Sequence, residues 1–327
     1  MQDRKLPGLE RAVHNDEMLE VFFQRLGPEF RKVNRARVKL RHRILKYNPG
    51  KRCVIEYQFH DGNGPVLAVI GKLYRKNRGE QIYRNMSVLW QAAQYNRGTA
   101  RAFRMPEPLA YLPEVGMVVQ AKISGRGFVE AVARGDISTA LVAVATNLAN
   151  LHRLDACLEV SRDMAQHIEK YCHPGPEVLK ATLPEMASLV DEVLDGLIHD
   201  LPPEACEQVA VHGDLNFSQI FIENESASFI DFDGSCLSHA ALDIANFLVA
   251  LKTYFAEDYA KLEEIFLDAY CQSKPLQSLS CLNTYKALAF LRRAMISFRH
   301  QNERDWRQRV KMHLNSACAS LLSESIH

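Results

Sequence analysis

The order of apolar and polar residues divides the chain into a strand-rich beginning and a helical remainder. Met18, Leu19, Phe22, Phe23 and Leu26 fall at helical spacing and predict a helix within residues 14–35. Residues 37–47 then alternate apolar and polar, as a half-exposed strand does. Asn48-Pro49-Gly50 signals a turn, and residues 52–59 are rich in strand formers. Asp61-Gly62-Asn63-Gly64 is a strong hairpin signal, followed by a third strand over 66–74. An antiparallel meander is the expectation. Residues 79–95 read as a helix and 115–123 as another strand, broken by Ser124-Gly125-Arg126-Gly127. From 128 onward helical stripes dominate: Leu141, Val144, Leu148 and Leu151, then Leu189, Val193 and Leu197. A short β interruption covers about 208–233, and helices resume from 240. Strands first and helices later, with a small β patch among the helices, predict an α+β bilobal chain. The expected division is a β-sheet lobe with a helix over 1–119 and a helical lobe over 120–327.

Composition narrows the class. A chain of 327 residues that is 47% apolar can bury the cores of two lobes. It contains no run of 18 apolar residues, so no membrane-spanning helix is expected, and Met1–Pro7 lack the apolar stretch of a secretory leader. The eight cysteines are scattered without a CxxC pair, which argues against a zinc ribbon or disulfide framework and for a reducing, cytoplasmic setting. Net charge is +1, but residues 1–119 carry 22 Lys and Arg against 11 Asp and Glu. No Lys or Arg occurs between Lys180 and Lys252. A basic first part suits a phosphate-rich ligand; an acidic second part suits a metal ion or a cationic substrate. Solvated faces would leave the same imbalance.

Candidate chemistry concentrates in two short motifs, His212-Gly213-Asp214 and Ile230-Asp231-Phe232-Asp233. Phosphoryl transfer needs a group that orients or deprotonates the attacking hydroxyl, oxygen ligands for Mg²⁺, and a lysine on the nucleotide phosphates. Asp214 follows a glycine that permits a tight turn. Gln219 opens an apolar β run, and its carboxamide oxygen is a hard ligand. Asp231 stands at a strand end twelve residues further on. Glu223-Asn224-Glu225-Ser226 would join two short strands as a hairpin, bringing Gln219 and Asp231 to one end, near Asp214.

At these residues the chain resembles the aminoglycoside phosphotransferase and choline kinase family of the protein-kinase-like superfamily. That family shows H-G-D-x-x-x-x-N, then I-D-F or I-D-W, then a helix start matched here by Ala240-Ala241-Leu242-Asp243-Ile244-Ala245-Asn246. The resemblance spans most of the chain, because Lys72, the hinge-like Val118–Gly125 stretch and the Leu148–His152 helix fall in the expected order. It implies Asp214 as the catalytic base, and Gln219, Asp231 and Asp233 as Mg²⁺ ligands, Asp233 directly or through water. It implies Lys72 on the nucleotide phosphates with a helix glutamate as partner, for which Glu80 is the nearby candidate. Adenine would meet backbone at Gln120, Ala121 and Lys122. His212 and Asp243 are expected to be structural, Asp243 as a buried brace of the catalytic loop. Two positions depart from the family pattern. Gln219 replaces the usual Asn, and Asn48-Pro49-Gly50-Lys51-Arg52 stands where a glycine-rich phosphate loop is usual.

The expected protein is therefore an ATP-dependent small-molecule kinase. It would phosphorylate a hydroxyl of an amino sugar, amino alcohol or sugar, with a cationic acceptor suggested by the acidic stretch and no nucleic-acid or membrane partner. A protein kinase would carry an H-R-D-like loop and an A-P-E-like segment, which this chain lacks. A nucleotide-binding pseudoenzyme would be expected to lose Asp214 or Asp231, and both are present.

Overall fold

The computed structural model describes the chain except residues 1, 27–34, 36, 62–63, 76–77, 96, 99–101, 200–206, 275–279 and 323–327. Two compact units emerge, one of residues 1–100, 104–125 and 228–233, the other of 101–103, 126–227 and 234–327. The first contains α1 (Leu9–Ala12), α2 (Asn15–Arg25), β1 (Lys39–Asn48), β2 (Arg52–His60), β3 (Pro65–Tyr74), α3 (Arg78–Gln94), β4 (Pro108–Leu112) and β5 (Met117–Ala121). Its sheet runs β1-β2-β3-β5-β4, with every pairing antiparallel. The expected meander is thus present, extended by β5 and by β4, which the sequence reading left out. Gly62 and Asn63, the predicted centre of the second turn, and part of the predicted first helix (27–34) lie outside the described residues.

The core of this unit follows from alternation. Cys53, Ile55, Tyr57 and Phe59 of β2 point inward at period two and are fully buried. The apolar face of α2 covers them, with Phe22 edge-on to Tyr57 at 4.9 Å and to Phe59 at 5.6 Å between ring centres. Each such aromatic side chain removed from water contributes about 2–3 kcal/mol.

One charged group is also enclosed here. Glu56 is buried, and its carboxylate accepts from Lys122 Nζ at 2.7 Å and Arg43 Nη2 at 2.8 Å. The Lys122 hydrogen bond outweighs burial, and with Arg43 holds the carboxyl down to about 2. A lowered folded-state value contributes stability that is complete above the unfolded value, roughly pH 4.3, and is lost as pH falls towards 2. Denaturant midpoints of wild type and Glu56→Gln should therefore differ at neutral pH and converge near pH 2. A gap that persists unchanged at pH 2 would refute this account.

The second unit is mostly helical. It comprises β6 (Arg126–Gly127), α4 (Phe128–Arg134), α5 (Ile137–Leu151), α6 (Met164–Tyr171), α7 (Pro176–Thr182), α8 (Ala187–His199), β7 (Gln208–Val211) and β8 (Ile220–Glu223). There follow β9 (Ser226–Phe229), whose end belongs to the first unit, β10 (Cys236–His239), α9 (Ala241–Tyr254), α10 (Tyr259–Ser273), α11 (Ser280–Arg299) and α12 (Trp306–Leu322). Leu141, Val144, Leu148 and Leu151 are fully buried on α5, as their spacing predicts. On α8 the buried stripe is Val190, Val193 and Leu197, one residue away from the predicted Leu189. No helix among the described residues is long and apolar enough to cross a membrane.

Candidate active site

The His212-Gly213-Asp214 motif sits at the end of β7, which pairs antiparallel with β10, Val211 opposite Cys236. After Val211 the chain must turn sharply, and Gly213 does so at φ +75°. A Cβ at Gly213 would lie 2.4 Å from the carbonyl oxygen of Gly234, so the close approach of the two loops also demands glycine. The turn is held from α9. Asp243, fully buried, accepts from the amide of His212 at 2.6 Å and that of Gly213 at 2.8 Å. His152 Nε2 stands 3.4 Å from the same carboxylate, and its Nδ1 is 2.8 Å from the Tyr270 hydroxyl. Burial works against the Asp243 charge, but His152 and the loop amides outweigh it and keep the carboxyl below its ordinary value. The predicted brace is therefore a carboxylate shared by two backbone donors and an imidazole.

Asp214 is presented beyond this turn, its side chain 37% exposed. Arg292 of α11 forms an ion pair with Asp214 Oδ1 and lies over the Tyr171 ring, 4.6 Å from its centre. The Tyr171 hydroxyl donates to the Gly213 carbonyl at 2.6 Å. Lys170 and Arg162 both donate to the Gly234 carbonyl, at 3.4 and 2.9 Å. Burial, with Arg162 adding to it, lowers Lys170 to about 8. The carboxylate of Asp214 therefore stands in a strongly basic setting, although the surrounding sequence is acidic. None of these cations was singled out in the sequence, because a lysine or arginine on a helix reads by default as solvated surface.

Gln219 closes a short 3₁₀ turn, Phe217–Gln219, with reciprocal caps. The Asn216 side chain accepts from the Ser218 amide at 3.0 Å, and Gln219 Oε1 accepts from the Asn216 amide at 2.9 Å. The predicted ligand oxygen thus already serves the loop's own backbone. The hairpin between β8 and β9 forms as predicted. Its two turn residues, Asn224 and Glu225, have φ of +45° and +61°, the sign that a two-residue hairpin of native twist requires.

In the first unit, Asp231 and Asp233 share a cluster with β2 and β3. Lys72 Nζ donates to Asp231 Oδ1 at 2.7 Å and lies 3.5 Å from Asp233 Oδ1. Tyr74 donates its hydroxyl to Asp233 at 2.6 Å, and Arg52 approaches Asp231 at 3.4 Å. The alternation of β3 explains the grouping. Lys72 and Tyr74 are two residues apart on one face, and Tyr74 is opposite Arg52 in the β2–β3 register. Asp231 adopts φ +73°, a conformation uncommon outside glycine that aims its carboxylate at Lys72. Burial disfavours both carboxylates. At Asp231 the ammonium of Lys72 prevails and the carboxyl lies well below its usual range; at Asp233 burial, with Asp231 as like-charged neighbour, prevails against Lys72 and raises it.

One expectation is corrected here. Glu80 is not the partner of Lys72. It lies on the exposed side of α3, bound to Arg84 at 2.7 Å, one turn along the helix. The carboxylates that meet Lys72 are Asp231 and Asp233. The predicted hinge starts at the end of the sheet. Gln120 and Ala121 end β5, the Ala121 amide donates to the Glu107 carbonyl at 2.9 Å, and the Lys122 ammonium is taken by Glu56. Gln120 is buried, and its side-chain oxygen has no donor among the described residues.

A cavity of about 450 Å³ opens beside the loop that follows Asp214, within the second unit. Leu215 to Ser218 form one wall, and α9 and α11 contribute others, including Tyr254, Arg292 and Arg293.

A two-unit chain with an N-terminal antiparallel sheet, a braced H-G-D loop and a lysine facing an I-D-F-D segment has the architecture of the small-molecule kinases. The description of the phosphotransferase enzyme family (APH) matches residues 57–291, and the chain belongs to that family. It is accordingly a phosphotransferase that acts on hydroxyl acceptors. Solved structures of similar fold include a Plasmodium vivax ethanolamine kinase, 16% identical, with TM-score 0.62 over 97% of this chain and 94% of that one. A choline kinase from Cryptosporidium parvum is 14% identical, with TM-score 0.63 over 95% and 97%. The amicoumacin kinase hAmiN, solved with AMP-PNP, Ca²⁺ and Ami, is 15% identical, with TM-score 0.65 over 95% of each chain. No curated protein sequence matches the chain.

Proposed function

We propose that this kinase uses ATP with a divalent cation, Mg²⁺ in the first instance, and that Asp214 serves the acceptor hydroxyl. The observation that carries the reading is the Lys72–Asp231–Asp233 cluster, which sets one cation against two hard carboxylates. That donor set fits Mg²⁺, which binds through one or two carboxylates and completes its shell with phosphate oxygens and water. A bound cation would also offset the burial and, after it, the charge of Asp231, which together hold the Asp233 carboxyl up. Asp231 and Asp233 would hold the metal. Gln219, with one lone pair of its oxygen committed to Asn216, keeps a second that a hard cation could use. When bound, the metal supplies charge neutralisation for the nucleotide phosphates. The AMP-PNP and Ca²⁺ bound by the amicoumacin kinase support a nucleotide and a divalent ion in this fold.

The residues of the chain do the rest. Lys72 steadies the phosphates as a three-donor ammonium. Gln120, whose buried oxygen has no donor among the described residues, accepts from the base. Asp214 orients the acceptor hydroxyl and takes its proton. The hydroxyl oxygen bonds to the γ-phosphorus as the bond to the β–γ bridging oxygen breaks, and ADP leaves with that electron pair. Nothing covalent forms on the protein; position and charge carry the reaction. The free cysteines among the described residues support a reducing, cytoplasmic setting.

The cationic acceptor suggested by overall acidity finds no support in the cavity, where Arg292 and Arg293 face the loop. Acceptor-dependent ADP release, screened with neutral, cationic and anionic hydroxyl compounds, tests the kinase reading. Release with at least one compound that stops on chelation of divalent metal is the expected result; ADP release unaffected by any acceptor or by chelation would refute it.

A further inference from the structure

We propose that the cavity beside the catalytic loop holds the acceptor by an oxyanion, a carboxylate or a phosphate, seated on Arg293; this rests on the kinase reading and names its substrate class. The volume, about 450 Å³, suits a hexose-sized compound. Arg292 and Arg293 both line it, next to the wall formed by Leu215 to Ser218, which directly follows Asp214. Arg292 is committed to Asp214. Arg293 is half-buried, and no carboxylate pairs with it among the described residues. Burial weakens its hold on its proton; Tyr254 opposes that, and the neighbouring charge of Arg292 adds to it by less. A guanidinium withdrawn from water beside a like charge and without a counter-ion is costly. A two-oxygen anion removes that cost through a forked pair of charge-assisted hydrogen bonds.

The rest of the lining points the same way. Glu130 is the acidic side chain there; it is 52% exposed and already shared between Arg134 at 3.3 Å and Arg126 at 3.9 Å. A wall selecting an ammonium group would need a carboxylate to spare. Phe217, Val249 and Tyr254 supply apolar surface for a carbon skeleton, the rings of Phe217 and Tyr254 standing 5.3 Å apart. An acceptor with its charged end on Arg293 can direct a hydroxyl at Asp214, because both arginines line the same cavity and Arg292 already reaches that carboxylate.

The experiment compares hexoses that differ only in charge: glucose, glucosamine, glucuronate and glucose 1-phosphate. Acceptor-dependent ADP release and ligand-induced thermal shift are both read, on wild type and Arg293→Gln. We expect kcat/KM for glucuronate or glucose 1-phosphate to exceed that for glucosamine at least about tenfold, and Arg293→Gln to lower it by about 10- to 100-fold, mainly through acceptor KM. The better of the two anions distinguishes a carboxylate site from a phosphate site. Arg293→Lys should recover part of the loss. If Arg293→Gln does not fold, Ile296→Glu, which sets a carboxylate in the same lining, should abolish the anion-induced shift. Equal or better use of glucosamine, or an anion shift that ignores both substitutions, overturns the inference, as does the absence of any anion shift in the wild type. Arg293-dependent protection by an anion without turnover of any probe keeps the inference and sinks the kinase reading. Turnover of glucosamine without anion protection does the reverse.

Discussion

Asp214→Asn should lower kcat by about 10²- to 10⁴-fold, the span usual for loss of a positioned general base. The amide keeps the size of the side chain and an oxygen that can accept from Arg292, but it cannot take a proton. Nucleotide affinity should hold within about twofold, because Lys72, Asp231 and Asp233 are untouched. Stability should fall only slightly. Arg292 loses its counter-charge, yet solvent reaches Asp214, whose side chain is 37% exposed, so the cost is about 1 kcal/mol. Steady-state kinetics and a nucleotide titration on the same preparation separate these effects. Turnover within tenfold of the parent would remove Asp214 from the role of base.

The second large effect concerns the fold. Asp243→Ala would leave the His212 and Gly213 amides buried without an acceptor and His152 without its carboxylate. Stranding groups of this kind costs about 3–5 kcal/mol in total. At about 2–4 °C per kcal/mol for domains of this size, the melting temperature should fall by about 6–20 °C. Activity should disappear with it, because the turn that presents Asp214 loses its anchor. Asp243→Asn retains one acceptor oxygen and should fall between the two. The pH dependence has a definite sign. Because the folded-state value is lowered, the contribution is whole above roughly pH 4 and shrinks as pH falls through that lower value. Thermal melts from pH 7 to pH 3 should show the gap between wild type and Asp243→Ala narrowing at the acid end. An unchanged melting temperature at pH 7 would mean that the loop is held elsewhere.

Local chemistry was legible in the sequence and long-range pairing was not. Strands β1 to β3 announce themselves by alternation and by turn residues at their ends. β4 was hidden because Pro106 and Pro108 make its five residues read as loop. The H-G-D and I-D-F-D motifs and the hairpin between them depend on neighbours within a few residues, and the structure builds them accordingly. The partner of Lys72 depends on tertiary contact, and proximity in sequence was a poor guide. Yet Glu80 and Arg84 stand four apart on a helix, and that spacing already favoured their pairing with each other. Tyr74 could have been found from strand period alone, two residues beyond Lys72. The cavity beside the His212-Gly213-Asp214 loop was the least legible part. Net acidity sums over a whole segment, whereas selectivity depends on the few side chains that line a wall, and Arg292 and Arg293 lie 78 and 79 positions after Asp214.

The anchoring of the His212-Gly213 turn also fixes how it behaves in time. A loop ending in glycine would ordinarily exchange its amide protons within moments. Those of His212 and Gly213 end instead on a carboxylate with no solvent exposure, itself set between α5, α9 and α10. They can be released only when those helices part. Their exchange with deuterium therefore reports the opening of the second unit's core rather than the fraying of a surface turn. The amides of the turn that carries Asp214 should therefore exchange among the slowest in the molecule.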